Sequence, residues 1–312
     1  MQHILSRLVQ AAFTMVGAVT ILFLIVRLTP GDPAYIMLGD YATPELVAVV
    51  RERYGLDKSL PTQYLTYVTN IATGNFGRSY SRNQDVMTLV GSALPYTLAL
   101  GLASIVVTSV IGLPLGVLAA LKRNTPADAG SMVIALLGVA APGFLLALLM
   151  IYGLSYQLGL FPVRGAGEGT DLLTQLRYLT LPAVALGFHS AALVARTTRS
   201  ALLGVLGEDY LRTARAKGLG QAALLWGHAM RNALIPVLAV LGLQFGQLLG
   251  GAGVIEIVFG RPGLGKLLID AILSRDYPLS QALISVLLAG VIVVNLVTDI
   301  LYGYVDPRIR HA

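Results

Sequence analysis

Six predominantly apolar stretches of this chain contain no Asp, Glu, Lys or Arg, and each is at least 18 residues long. They lie between Arg7 and Arg27, Asp85 and Lys122, Asp128 and Arg164, Arg177 and Arg196, Arg231 and Glu256, and Asp276 and Asp299. A helix needs about 20 mainly apolar residues to cross a hydrocarbon core of about 30 Å. Within that core its backbone amides must be satisfied internally. The spacing predicts helices at 9–27, 95–120, 131–157, 178–197, 233–254 and 281–303. Only 12% of the 312 residues are charged and 55% are hydrophobic, about half the charge of an ordinary soluble domain. That composition excludes a soluble enzyme, a nucleic-acid binder and a disordered chain. With no Cys, a disulfide framework, a Cys-ligated zinc site and thiol chemistry are excluded as well. The fold class is all-α, a polytopic membrane protein with six transmembrane helices.

Two stretches need separate argument. The third, at 35 residues, would overshoot the core at ~1.5 Å rise per residue. It contains Pro142-Gly143 and closes at Gly159-Leu160-Phe161-Pro162, which predicts one long kinked helix followed by a short re-entrant or interfacial piece. The first resembles a signal peptide in position, but its apolar run exceeds the usual 7–15 residues and no small-residue cleavage site follows Val26. An uncleaved first helix is expected.

Orientation follows the Lys and Arg of the short loops. With the N-terminus inside, eleven cations fall on the inner side: Arg7, Lys122, Arg123, Arg196, Arg199, Arg212, Arg215, Lys217, Arg231, Arg308 and Arg310. The short outer loops hold five: Arg164, Arg177, Arg261, Lys266 and Arg275. Both termini are expected in the cytoplasm, giving residues 1–27 as the N-terminus and first helix and 28–94 as an outside cap. Residues 95–303 then form the membrane core and 304–312 a cytoplasmic tail. In the cap, Thr43-Pro44-Glu45 reads as a helix start and Gly55 as its stop, with a second helical run over Pro61–Ala72.

The inner segment 196–232 predicts two short helices with a hinge at Gly218-Leu219-Gly220. Glu208 and Arg212 stand in the favourable acid-first i,i+4 order. Arg215 shares their face, and Leu211, Ala214 and Ala216 leave a small apolar face opposite. Docking of a partner protein and attraction to anionic lipid are equally open on these residues. Gly242, Gly246 and Gly250 recur every four residues in the fifth span, as do Gly112 and Gly116 in the second, a pattern for close helix–helix packing.

Other motifs are excluded as chemistry. Gly260-Arg261-Pro262-Gly263-Leu264-Gly265-Lys266-Leu267 nearly spells a phosphate loop, but Leu267 replaces the Mg-binding hydroxyl and no strand precedes it. A Gly/Pro-rich turn is expected there. The four His residues are scattered, and there is no H-E-x-x-H or G-x-S-x-G. His189 in the fourth span is expected to be hydrogen-bonded within the bundle, and Asp299 to reach the interface at the inner end of the sixth. Without a chain of Asp, Glu and His across the bilayer, a proton relay is absent, which counts against the alternative of a self-sufficient secondary transporter or channel.

Residues 208–218, Glu-Asp-Tyr-Leu-Arg-Thr-Ala-Arg-Ala-Lys-Gly, followed by His228-Ala229-Met230-Arg231-Asn232-Ala233-Leu234-Ile235-Pro236, resemble the cytoplasmic signature of ABC importer permeases. The branch is the dipeptide/oligopeptide family, first of two permease subunits. Pro30-Gly31-Asp32-Pro33-Ala34, Tyr54-Gly55-Leu56-Asp57, Gln63-Tyr64, Pro262-Gly263-Leu264-Gly265, Arg275-Asp276-Tyr277-Pro278 and Asp306-Pro307-Arg308-Ile309-Arg310 agree with it. In the general signature Glu-Ala-Ala precedes the glycine; here Arg212-Thr213-Ala214 stands in that place. The resemblance implies a multi-pass subunit of the bacterial inner membrane whose coupling helix docks into an ATPase through Glu208, Arg212, Ala214, Arg215, Lys217 and Gly218. It further implies a second homologous permease, two ABC ATPase subunits or one fused chain, and an extracytoplasmic peptide-binding protein. No cofactor is expected in this chain, since ATP and Mg would be bound by the partner subunits. No nucleic acid is expected.

Overall fold

Helix is the only regular element among the described residues of the computed structural model, which are 2–28, 32–53 and 55–305. In chain order these are α1 (Gln2–Leu28), α2 (Pro33–Leu38), α3 (Pro44–Arg53), α4 (Leu60–Thr73), α5 (Val86–Leu121) and α6 (Pro126–Ala140). Next come α7 (Gly143–Met150), which widens into a π-helix at Ile151–Gln157, α8 (Leu172–Leu206) and α9 (Asp209–Ala216). Then α10 (Gln221–Ala223) runs through a π-helical stretch, Leu224–Ala229, into α11 (Met230–Val258), followed by α12 (Leu264–Leu273) and α13 (Tyr277–Val305). Among the described residues, five helices are long and apolar enough to cross a membrane: α1, α5, α8, the run from Gln221 to Val258, and α13. The pair α6 and α7 qualifies only as one broken span. Pro30, Gly31, Tyr54, the 306–310 motif and the Asp299 side chain lie outside the described residues.

The third span therefore differs from the predicted kinked helix over 131–157. It starts at Pro126 and breaks completely at Ala141 and Pro142. Proline disfavours a helical conformation in the residue before it, and Ala141 is extended (φ −83°, ψ 126°). The Pro142 carbonyl then accepts from Leu145 and Leu146 to start α7. The helix α5 fills its charge-free stretch from Val86 to Leu121, whereas the remaining spans are longer than theirs because charged residues continue the helices. Arg177, Arg196 and Arg199 all lie within α8. Arg177 donates to the Leu160 carbonyl at 3.0 Å, and Arg199 forms a two-pronged pair with Asp128 at the start of α6, both bonds 2.7 Å. Pro236 lies inside α11.

The chain divides into two compact units, residues 1–95 with 263–292, and 96–262 with 293–312. In the first, Thr43 caps α3 by accepting from the Leu46 N–H, and Gly55, at φ +63°, ends that run. The helix α4 lies against α1: the Tyr64 hydroxyl is 2.7 Å from Thr20 Oγ1, and Phe23 meets the Tyr64 ring edge-on at 5.4 Å between centroids. The core joins Val86, Leu89, Val90 and Ala93 of α5 to Leu264, Leu267 and Ala271 of α12 and to Leu279, Ala282 and Leu283 of α13. The expected turn at 260–267 is thus only partly a turn, because Gly263 caps α12 and Leu264-Gly265-Lys266-Leu267 already belongs to it. A helix, α11, precedes the near-phosphate loop.

Asp276 organises this unit from the N-cap of α13. Fully buried, it accepts hydrogen bonds from the Ser79 hydroxyl (2.5 Å), the Ser81 N–H and hydroxyl (3.0 and 2.8 Å) and the Leu279 N–H (3.2 Å). Burial alone pushes its pKa up, but these donors outweigh it and hold the carboxyl below its ordinary value. A folded pKa below the unfolded one makes the carboxylate stabilising above the unfolded value, about 3.9, and that contribution is lost as pH falls through the folded pKa. Asp276→Asn is expected to lower stability by about 2 kcal/mol at neutral pH. Its thermal midpoint in detergent should also fall less than the wild type's as the pH is lowered below about 4.

In the second unit α8 is the central element, packed by α6, α7 and α11 and by α5. Its contact with α5 is a seam of small residues. A Cβ on Gly112 would stand 2.8 Å from the Ala191 carbonyl, one on Gly116 2.5 Å from the Ala195 carbonyl, and one on Gly187 2.5 Å from the Ser104 carbonyl. Ser104, Thr108, Gly112 and Gly116 thus face Gly187, Ala191 and Ala195, both series at four-residue spacing, and Thr108 donates to the Gly187 carbonyl at 2.9 Å. Across the seam with α11, buried Ser190 donates to Gln244 Oε1 at 2.8 Å. His189 Nδ1 lies 3.3 Å from the Gly138 carbonyl of α6, in agreement with its expected place in the bundle.

Candidate functional site

The turn from α8 to α11 carries the chemistry singled out by the sequence. Gly207 ends α8, and Glu208, in extended conformation (φ −72°, ψ 145°), forms the N-cap of α9. From that cap Glu208 offers its backbone carbonyl to the Leu211 and Arg212 amides. The expected Glu208–Arg212 pair does not form. Arg212 Nη1 instead meets Asp209 at 3.2 Å, an exposed i,i+3 pair. The reason is positional: the capping residue lies outside the helix, whereas Asp209 is its first residue. Such a pair contributes little stability.

One side of α9 belongs to the chain's own core. Leu211 is 1% exposed and packs with Val117 and Ala120 of α5, Leu202 of α8, and Leu224, Ala229, Met230 and Ala233 of the following helix. Ala214 is half-buried against the same cluster, while Ala216, expected beside it, is exposed. The difference is angular, since Leu211 and Ala214 are three residues apart and share a face, and Ala216 is two further on. The Tyr210 hydroxyl accepts from Asn232 Nδ2 at 2.7 Å, which fixes α9 to the first turn of α11.

Arg212, Arg215 and Lys217 are exposed and form a cationic rim, next to exposed Leu219 and Trp226. The helix ends in a Schellman motif. Gly218, at φ +83°, donates to the Arg215 carbonyl (3.0 Å), and Leu219 to that of Ala214 (3.4 Å). A left-handed residue at that point is strained for any side chain, so Gly218 sets how sharply the chain leaves α9.

The packing glycines separate. In α11, Gly242 lies directly against Thr298 of α13, whose Cβ would be 2.7 Å from an added Cβ. Gly246 is buried, and Gly250 faces open space within this chain. At the far end of α11 the structure adds a buried polar group that sequence reading did not find. Glu256, fully buried, accepts from the Thr97 hydroxyl at 2.6 Å. Arg261, 3% exposed, lies 6.0 Å from the Tyr96 ring centroid. Burial pushes the Arg261 pKa down, with Glu256 and Tyr96 opposing. In the sequence Glu256 reads as the edge of an apolar stretch and Arg261 as a loop cation. Their five-residue separation across a helix end was the available signal.

A broken and several continuous apolar spans, held by small-residue seams and interrupted by a short basic-rimmed helix, define a polytopic membrane protein. The particular family is shown by comparison with known proteins. Residues 112–311 match the family described as "Binding-protein-dependent transport system inner membrane component", and residues 1–101 match the corresponding N-terminal family. The chain is 45% identical to the Di/tripeptide transport system permease protein DppB of Pseudomonas aeruginosa (strain UCBPP-PA14), covering 96% of this chain and 95% of that one. It is 39% identical to the Glutathione transport system permease protein GsiC of Escherichia coli (strain K12), over 100% and 99%. Its fold is similar to a chain of the MetNI methionine ABC transporter in an inward facing conformation, with a TM-score of 0.60 and 20% identity over 70% of this chain and 97% of that one. The chain belongs to the binding-protein-dependent inner-membrane family and is a multi-pass permease subunit of an ABC importer of the bacterial inner membrane.

Proposed function

We propose that this subunit forms half of a translocation pathway for di- or oligopeptides, or a related small solute such as glutathione, handed over by an extracytoplasmic binding protein. A second homologous permease completes the pathway, and two ABC ATPase subunits, or one fused chain, bind ATP and Mg and supply the energy. The relatives' substrates support the solute class. The observation that carries the coupling role is α9 itself, a helix with its inner face locked by Leu211 and its outer face cationic.

In this reading α9 lies on the cytoplasmic side, as do both termini, and docks in a groove of the ATPase. Glu208, Arg212, Arg215 and Lys217 meet the partner, while Ala214 seats the helix on its own subunit and Gly218 sets its exit. Closure of the ATPases around ATP pulls on α9. The Tyr210–Asn232 bond and the Leu211 cluster pass that displacement to the foot of α11. ATP shifts the inward–outward equilibrium only by its differential affinity for the two states, so the docking contact must persist in both. The test is isolation of the tagged chain from native membranes in mild detergent, with partners identified by mass spectrometry. A second permease and ABC ATPases in stoichiometric amounts are expected. A homo-oligomer without ATPase, even after cross-linking, overturns the reading.

A further inference from the structure

The first unit contains a cavity of about 420 Å³ bounded entirely by its own residues, from the end of α1, the α3–α4 connection, α4, the 75–80 loop and the start of α13. Ligand sites for small organic molecules are of this size and carry a few convergent polar groups. Two buried polar atoms on its wall have no hydrogen-bond partner in the protein, Arg27 Nε and Gln63 Oε1, and beside them stands the Tyr67 hydroxyl, whose neighbour in the protein is Ser285. Buried polar atoms are almost always satisfied, so two unpaired ones on the wall of a single cavity mark a place suited to a polar guest.

The chemistry of the three is complementary. Gln63 Nε2 donates to the carbonyls of Leu56 (3.2 Å) and Lys58 (2.7 Å). That fixes the amide and leaves Oε1 as an acceptor. Arg27 presents a donor on a permanent charge, its guanidinium 5.6 Å from the Phe23 ring centroid. The Tyr67 hydroxyl can donate or accept. Exposed Glu52 and Lys58 stand on the same wall with opposite charges, and Asn70 adds an amide from α4.

We infer that this cavity binds the backbone of a short zwitterionic peptide: the carboxylate at Arg27 and Lys58, the ammonium at Glu52, and a peptide N–H at Gln63 Oε1. The inference rests on the peptide-import reading above. It gives the permease a substrate site outside the membrane core, lined by the cap helices, where a peptide leaving its binding protein would first be held. A phospholipid headgroup offers the same pairing of anion and ammonium. It carries no peptide N–H, and the competition arm below separates the two.

The experiment uses the assembled complex in nanodiscs, without binding protein or ATP, and radiolabelled alanyl-alanine as probe. Binding is expected, with the affinity falling at least about tenfold in Arg27→Gln and severalfold in Tyr67→Phe. Alanyl-alanine blocked at both ends should not compete. Tyr67→Phe removes only a hydroxyl, so its effect is independent of any folding defect in Arg27→Gln. Unchanged binding in both variants, or competition by phosphoethanolamine as strong as by alanyl-alanine itself, overturns the inference. Uptake by the wild-type complex with its binding protein is measured alongside. Failure of that uptake removes the peptide-import reading itself. Normal peptide uptake with pocket variants that bind as the wild type removes only this site.

Discussion

Gly116→Leu is expected to leave almost no subunit recoverable in a monodisperse, assembled form, while Gly250→Ala is recovered like the wild type. An added Cβ at Gly116 would lie 2.5 Å from the Ala195 carbonyl and 2.6 Å from Thr198 Cβ, whereas nothing lies within 4 Å of one at Gly250. Helix association in a membrane relies on close packing, because lipid is as apolar as the side chains it would replace. Separating α5 from α8 also loses the Thr108–Gly187 hydrogen bond farther along the seam. Overpacking in a closed core costs about 1–3 kcal/mol, and a backbone obstacle places this variant at or beyond the upper end. Size-exclusion chromatography of detergent extracts, with equal expression confirmed by immunoblot, reads the outcome. A sharp elution peak for Gly116→Leu at wild-type yield would show that the seam is looser than described.

The second large effect concerns energy coupling. The combined substitution Arg212→Glu, Arg215→Glu and Lys217→Glu reverses the exposed rim of α9 without touching Leu211 or the Tyr210–Asn232 bond. Surface changes of this type usually alter stability by no more than about 0.5 kcal/mol, so the subunit should insert and elute normally. Like-charge contacts at an interface cost several kcal/mol, which predicts a fall in solute uptake of at least about a hundredfold. Retention of the ATPases on the tagged subunit should fall with it. Full uptake by the triple variant would remove the rim from the docking contact. Neutral Gln at the same three positions should give an intermediate loss.

The apolar stretches made the spans legible because the hydrocarbon core admits almost nothing else. The ends of α5 were legible from the charges that flank it, but those of the other spans were not, because charged residues continue the helices. Arg199 is carried inside α8 because Asp128 faces it, and that partner is 71 positions away in the chain. The same distance problem hid Asp276, whose donors Ser79 and Ser81 lie nearly 200 residues earlier. For α12 a signal existed: Leu264, Leu267 and Ala271 at helical spacing, with Lys266 and Asp270 paired at i,i+4. The glycines and proline just before it drew the reading toward a turn. At the candidate site the residues were legible, but their division of labour was not. Which side of an eight-residue helix turns inward depends on the cluster beneath it, and that cluster assembles from four separate elements.

The two kinds of glycine contact differ in what a second mutation can repair. At Gly242 the obstacle is the side chain of Thr298. A harmful Gly242→Ala should therefore be suppressed by Thr298→Gly, and a genetic screen for revertants should return changes at that position. At Gly116 the nearest obstacle is the carbonyl oxygen of Ala195, an atom that every amino acid carries. No substitution at position 195 removes it, so revertants of Gly116 variants should be confined to restoration of the original codon or its nearest small-residue equivalent.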